Sequence, residues 1–254
     1  MTLAGVPPSD CRTPVSLTRT YSGVRIRARM NGKVKSMEAS FWKSVWTKRA
    51  LGFHLPFVHP ILKRSLPLFD LAPDARLFLP LCGKTLDIAY LLSLADFHVT
   101  GIELSEIAIG ELFEQLNLEP LVSTWHGGRL WRSGRLRVFE GDFFELTPEE
   151  LGPVALTYDR AALVALPADL RARYAQRLVL LTDTVEQLLI SFEYDQSRMP
   201  GPPFAVTGAE LERLYGSHYR LQELSRKDVI ANQPAFLERG LQHFEEVAWR
   251  MIPR

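Results

Sequence analysis

Cysteine is scarce in this chain: Cys11 and Cys82 are the only two among 254 residues. One distant pair cannot build a disulfide framework and does not have metal-ligand spacing. A reducing, cytoplasmic setting is therefore expected. Long apolar runs are also missing. None approaches the roughly 18 residues that span a bilayer, so no membrane partner is expected. Neither charge sign dominates, with 30 Lys and Arg against 29 Asp and Glu and a formal net charge of +1. A general nucleic-acid binder would show a strong basic excess, so nucleic acid is not an expected partner. The histidines (His54, His59, His98, His126, His218 and His243) are scattered. No two have metal spacing on one helix, and no metal is expected. No internal repeat is visible. What remains is a chain 46% hydrophobic and 23% charged. That suffices for one large α/β domain or two small ones.

Residues 1–37 differ from the rest. Arg12, Arg19, Arg25, Arg27, Arg29, Lys33 and Lys35 face a single acid, Asp10, among several Pro, Ser and Thr. Hydrophobic periodicity is absent, which predicts a disordered basic extension ahead of a domain over 38–254. A targeting peptide, a tail for a polyanion and translated upstream sequence all fit this composition. Met37, a second plausible start just before the folded pattern opens at Phe41, favours the last.

From Ala75 onward strand and helix signals alternate. Arg76–Leu81 is a short apolar run between Pro73-Asp74 and Gly83, and reads as a buried strand. Thr85–Leu94 reads as a helix and His98–Glu103 as a strand. Ser105 caps a helix through Asn117, with Glu106 where the dipole favours negative charge. Leu130–Glu140 reads as a hairpin around Ser133-Gly134. Val154–Asp159 and Gln187–Tyr194 read as strands, Ala168–Leu181 and Thr207–Tyr215 as helices. Two last strands fall near Arg220–Arg226 and His243–Met251. This alternation implies a doubly wound, mainly parallel sheet covered on both faces.

In open α/β sheets ligands sit beyond the carboxyl ends of the strands. The first strand ends in Pro80-Leu81-Cys82-Gly83-Lys84-Thr85, a one-glycine turn that lets backbone approach a ligand. It lacks both GxxxxGK[ST] and GxGxxG, and alone matches any βα connection. Glu103 ends the second strand, 22 residues after Leu81. A carboxylate there suits a ribose diol, though a helix-capping acid would look the same. Turn and acid together favour a nucleoside-bearing cofactor, and the missing glycines argue against a pyrophosphate. Gly141-Asp142-Phe143-Phe144 could meet an adenine edge and face, or be a turn with core rings. Tyr158-Asp159-Arg160 puts a charged pair at a strand end. Gly201-Pro202-Pro203-Phe204, after Tyr194-Asp195, makes a stiff loop fit for one wall of a pocket.

Together these stretches resemble the thiopurine S-methyltransferase family. The resemblance rests on Leu79–Lys84, Gly101-Ile102-Glu103-Leu104-Ser105, Asp159-Arg160-Ala161-Ala162-Leu163 and Tyr194-Asp195 with Gly201–Phe204, in order and at fitting spacings. Phe41-Trp42, Trp46 and Gly52-Phe53-His54 resemble the family's N-terminal segment. The match covers about residues 38–252 and is closer to the bacterial members. It implies a Rossmann-like class I methyltransferase with a single seven-stranded sheet, S-adenosylmethionine as cofactor and S-adenosylhomocysteine as product. It also implies that Trp46 lies against the cofactor, Leu81 contacts it from the first turn, Glu103 holds the ribose and Phe143 and Phe144 flank the adenine. Arg160 would stand where cofactor meets substrate, as both cofactor contact and catalytic residue. The sequence departs at Ser93–His98, one residue longer and without the family's glycine. It departs again at Phe57-Val58-His59, near the mouth of the site, which bears on substrate preference more than on the reaction.

The implied function is methyl transfer to the sulfur of a small aromatic or heterocyclic thiol by a monomer. A selenium or tellurium species, or a small aliphatic thiol, is the alternative acceptor. A non-catalytic S-adenosylmethionine-binding protein is the alternative class. The step needs nucleophile and methyl aligned at roughly 3–3.5 Å with water excluded. Phe41, Trp42, Trp46 and Phe53 could form an aromatic lid, or simply pack a helix. Arg160 is always protonated and can favour an anionic sulfur or carboxylate, but cannot act as a base. Asp159 is expected to orient it. Cys82 reads as a small residue that fits its turn.

Overall fold

The computed structural model describes residues 32–49, 52, 54–94 and 96–254, with no side-chain detail for 32–39. The elements are helix α1 (Gly32–Thr47), α2 (Pro60–Ser65), strand β1 (Arg76–Pro80), α3 (Asp87–Ser93), β2 (His98–Glu103), α4 (Glu106–Gln115), β3 (Leu121–Trp125), β4 (Gly128–Ser133), β5 (Leu136–Glu140), α5 (Pro148–Leu151), β6 (Leu156–Arg160), α6 (Ala168–Thr182), β7 (Gln187–Glu193), α7 (Gly208–Tyr215), β8 (Tyr219–Asp228), α8 (Pro234–Leu237) and β9 (Glu245–Pro253). Helix α1 begins inside the segment read as a basic extension. Residues 1–31 of that segment, with Cys11, lie outside the described residues, as does Phe53.

One sheet of nine strands holds the chain together, in the order β3-β4-β5-β2-β1-β6-β7-β9-β8. The five central strands from β5 to β7 pair in parallel. Both edges are antiparallel. The seven strands from β5 to β8 match the expected count, and β3 and β4 add two more beyond β5. Strand β3 carries no buried face to announce it: Leu121 is 76% exposed and Val122 49% exposed.

Strand parity divides the core between the two faces of the sheet. Leu77 and Leu79 of β1 face one way, with Val99, Val138 and Leu188. They meet Ile61 and Leu62 of α2, Ile88 and Leu91 of α3, and Ile109, Leu112 and Phe113 of α4. Phe78 faces the other way, with Ile102, Phe139 and Leu189. It meets Leu151 of α5, Leu170, Tyr174 and Leu178 of α6, and Leu211 and Tyr215 of α7. The sheet is thus doubly wound. Local signals set the helix starts: Ser105 Oγ accepts from the Ala108 N–H at 3.3 Å, and Thr147 with Glu150 forms a capping box on α5. Among the described residues no helix is long and apolar enough to cross a membrane.

Candidate active site

Strand β1 has β2 on one side and β6 on the other, and the chain winds outward in opposite directions from it. A crevice opens beyond its carboxyl end for that reason. Two residues there hold a left-handed backbone that costs a non-glycine residue about 1–3 kcal/mol. Leu81 follows β1 with φ +47° and Ala161 follows β6 with φ +62°. The fold maintains strain on both sides of one opening.

Glu103 and the first turn form a single unit. The Glu103 carboxylate is buried, yet accepts the Gly83 N–H at 2.9 Å and the Ser105 N–H at 2.8 Å. Burial raises its pKa, while the N–H groups of Ser105, Gly83 and Leu104 favour the charged form. Gly83 has φ +54°, which suits glycine, and a Cβ on it would sit 3.2 Å from the indole of Trp46. Trp46 is buried, and its ring lies over the turn. The turn also presses on β2: a Cβ on Gly101 would fall 2.6 Å from the Cys82 sulfur. Cys82 fits there as a buried neutral thiol, its pKa raised by burial and then by Glu103.

The N-terminal segment joins this unit through charge. Glu111 of α4 accepts from Lys84 Nζ at 2.6 Å and pairs with Arg49 at 3.3 Å. His54 lies in the same surroundings. Burial, then the charges of Lys84 and Arg160, lower its pKa, and Glu111 opposes them. His54 is therefore mostly neutral at neutral pH, with the charge of Arg160 among those that act on it. It was visible in sequence only as one of several scattered histidines, because its charged neighbours come from α4, β6 and the β1 turn. Phe41 stacks edge-on against Trp42 at 5.2 Å and is exposed, so the expected aromatic lid reaches the turn through Trp46.

Beyond β5, next to β2, Asp142 Oδ1 accepts the Phe144 N–H at 2.9 Å and starts a tight turn. Phe143 is buried against Tyr174 at 4.7 Å. Phe144 is half-buried, with the Arg173 guanidinium 4.7 Å from its ring centre. Trp125, not singled out from sequence, donates to the Glu140 carbonyl at 3.2 Å and packs beside Gly141.

Arg160 ends β6, adjacent to β1. Asp159 does not serve it as expected. Its Oδ2 accepts from Tyr174 O–H at 2.7 Å and its Oδ1 from the Leu163 N–H at 3.1 Å. Consecutive strand residues point to opposite faces, so the pair is split by the sheet. Burial lifts the Asp159 carboxyl to about 6. The Gly201–Phe204 loop is tied beside β6 by the Phe204 N–H on the Val164 carbonyl at 2.6 Å, and Tyr194 O–H donates to the Pro203 carbonyl at 2.6 Å. His59 is buried as the N-cap of α2, and its Nε2 meets Glu246 at 3.1 Å, while Phe57 is exposed.

Trp46, Leu81, Glu103, Phe143, Phe144 and Arg160 therefore all stand along the carboxyl edge of β5, β2, β1 and β6, or over it. The set fits a nucleoside-bearing sulfonium: an acid oriented by backbone N–H groups, a turn with a glycine at its closest approach, and an aromatic cover. The thiopurine S-methyltransferase family model matches residues 37–253. The chain belongs to the thiopurine S-methyltransferase family. It is similar to the thiopurine S-methyltransferase of Xanthobacter autotrophicus, 51% identical over 184 residues, 72% of this chain and 86% of the relative. The Azotobacter vinelandii thiopurine S-methyltransferase is 41% identical over 219 residues, 86% of this chain and all of that protein. In fold the chain is similar to a methyltransferase from Thiobacillus denitrificans solved with S-adenosyl-L-homocysteine. That likeness has a TM-score of 0.57 at 12% identity, covering 83% of this chain and 98% of the other. As a member of this family the chain is an S-adenosylmethionine-dependent methyltransferase.

Proposed function

We propose that this methyltransferase acts on the sulfur of a small aromatic or heterocyclic thiol, as the names of its relatives indicate for them. The observation that carries this reading is the Glu103–Gly83 junction at the point where the sheet reverses direction, within a family match spanning the whole described domain. S-adenosylmethionine would supply an electrophilic methyl group on a sulfonium. Glu103 would accept the ribose hydroxyls, Leu81 and Gly83 would present backbone, and Trp46 would cover the site and exclude water. Phe144 would border the adenine, with Phe143 fixing it from the core. Arg160 would hold an anionic sulfur or carboxylate of the acceptor. His54, kept neutral by burial and by the charges of Lys84 and Arg160, would take the proton of an acceptor that arrives as a thiol.

We further propose that the enzyme works as a cytoplasmic monomer without a metal, with residues 1–37 as an extension to the catalytic domain. The test is product detection by mass spectrometry across thiopurines, thiophenols with and without a carboxylate, aliphatic thiols and selenite. Methylation of heterocyclic and aromatic thiols is expected, with Arg160→Ala losing turnover mainly on the anionic members. Equal activity of parent and Arg160→Ala on every thiol would remove Arg160 from its role. Turnover of selenite alone would replace the acceptor.

A further inference from the structure

At the opposite end of the sheet from the methyl-transfer site, the amino ends of β1, β2 and β5 enclose a cavity of about 120 Å³. Arg76, His98, Thr100, Arg132, Arg135 and Arg137 line it, and no carboxylate does. Two of the arginines donate to hydroxyl and carbonyl oxygens that hold them in place. Arg137 donates to Thr100 Oγ1 at 2.8 Å and to the Leu151 carbonyl. Arg135 donates to the Phe97 carbonyl at 3.1 Å and the Leu92 carbonyl at 2.8 Å. Arg132 stands directly across from Arg137 in the β4–β5 ladder. Like charges directly opposite destabilise a strand pair. Burial first, and then the like charges of Arg76 and Arg132, bring the pKa of Arg137 down to about 10. The ion pairs among the described residues include none made by Arg76, Arg132 or Arg137. Planar guanidinium forks held ready in a concave, acid-free pocket suit one chemistry, a tetrahedral oxyanion bound by several N–H groups at once.

We propose that the amino-terminal edge of β1, β2 and β5 is a binding site for a phosphate group, either free or as a phosphomonoester. The cavity is too small for a nucleoside cofactor and takes one phosphate. It lies a full strand away from Glu103 and Arg160, roughly 16 Å for the five steps from His98 to Glu103 at about 3.3 Å each, so occupancy does not block the methyl-transfer site. A bound dianion would relieve the Arg132–Arg137 repulsion and cross-link three strands and the β4–β5 turn.

The test is thermal unfolding of the full chain at constant ionic strength in chloride, inorganic phosphate and ribose 5-phosphate. The same series is run on Arg76→Gln/Arg132→Gln and on Arg132→Gln alone, an exposed position. Phosphate is expected to raise the parent midpoint by about 2–4 °C over chloride, with saturation, and both variants are expected to lose most of that shift. Both variants should melt no lower than the parent in chloride, because they remove like-charge contacts. A larger shift with ribose 5-phosphate points to a monoester; equal shifts point to the free ion. No shift beyond chloride, or an undiminished shift in the variants, overturns the proposal. Binding of S-adenosylhomocysteine is measured alongside and should be equal in parent and variants, which separates this outcome from that of the methyl-transfer site.

Discussion

Glu103 meets two opposing demands. Burial favours its neutral form, and backbone N–H groups favour the charged one. Glutamine there keeps the shape but removes the charge and one acceptor. Hydrogen bonds to charged groups contribute about 1.5–3 kcal/mol. Glu103→Gln should therefore weaken S-adenosylmethionine binding tenfold or more in calorimetry, with the far-ultraviolet spectrum unchanged. Gly101 matters for the side chain it lacks. Alanine there would drive a Cβ into the Cys82 sulfur and push the Leu81–Gly83 turn off β2. Gly101→Ala should cost about tenfold in cofactor affinity, an effect of the size expected for overpacking. Cys82→Ala in the same chain should restore most of it. A double variant as weak as the single would show that some other contact is responsible.

At the scale of elements, α1 is tied to the sheet by Trp46 over Gly83 and by Glu111 between Lys84 and Arg49. Arg49 is mostly exposed, so that arm contributes little, while the shorter Lys84 contact lies half-buried. Glu111→Ala should leave global stability within about 1 kcal/mol. It should speed proteolysis between Thr47 and His54, with cofactor protecting the parent more than the variant. Equal cleavage of the two would detach α1 from this tie. The central strands were legible because buried parallel strands are short apolar runs bounded by turns. The acid at the end of β2 was legible for the same reason, since its position is set by strand length. Strand β3 was not, because an exposed edge carries no burial pattern. The start of α2 was not, because His59, an uncommon cap, closes it. Asp159 was misassigned although strand parity alone places its carboxylate on the face opposite Arg160. The effect of Arg160 on His54 could not be read at all, since the two are far apart in the chain.

For the whole molecule, Asp159 links folding to pH. Its carboxyl titrates at about 6 in the fold, against about 3.9 in an unfolded chain. The folded value is the higher one. Its contribution is therefore complete below pH of about 4 and lost as pH rises through 6, by up to about 3 kcal/mol for two pH units. Glu103 shifts in the same direction. Urea unfolding of the parent and Asp159→Asn between pH 4.5 and 7.5 should show the gap between them moving in favour of the variant as pH rises. A gap that stays constant would contradict the linkage. Whether the carboxyl edge of β5, β2, β1 and β6 holds S-adenosylmethionine is decided by calorimetric titration of the full chain with that cofactor. One site per chain is expected, markedly weakened in Glu103→Gln and unchanged in Arg132→Gln. Absence of binding heat at several temperatures, or equal affinity in Glu103→Gln, would contradict it.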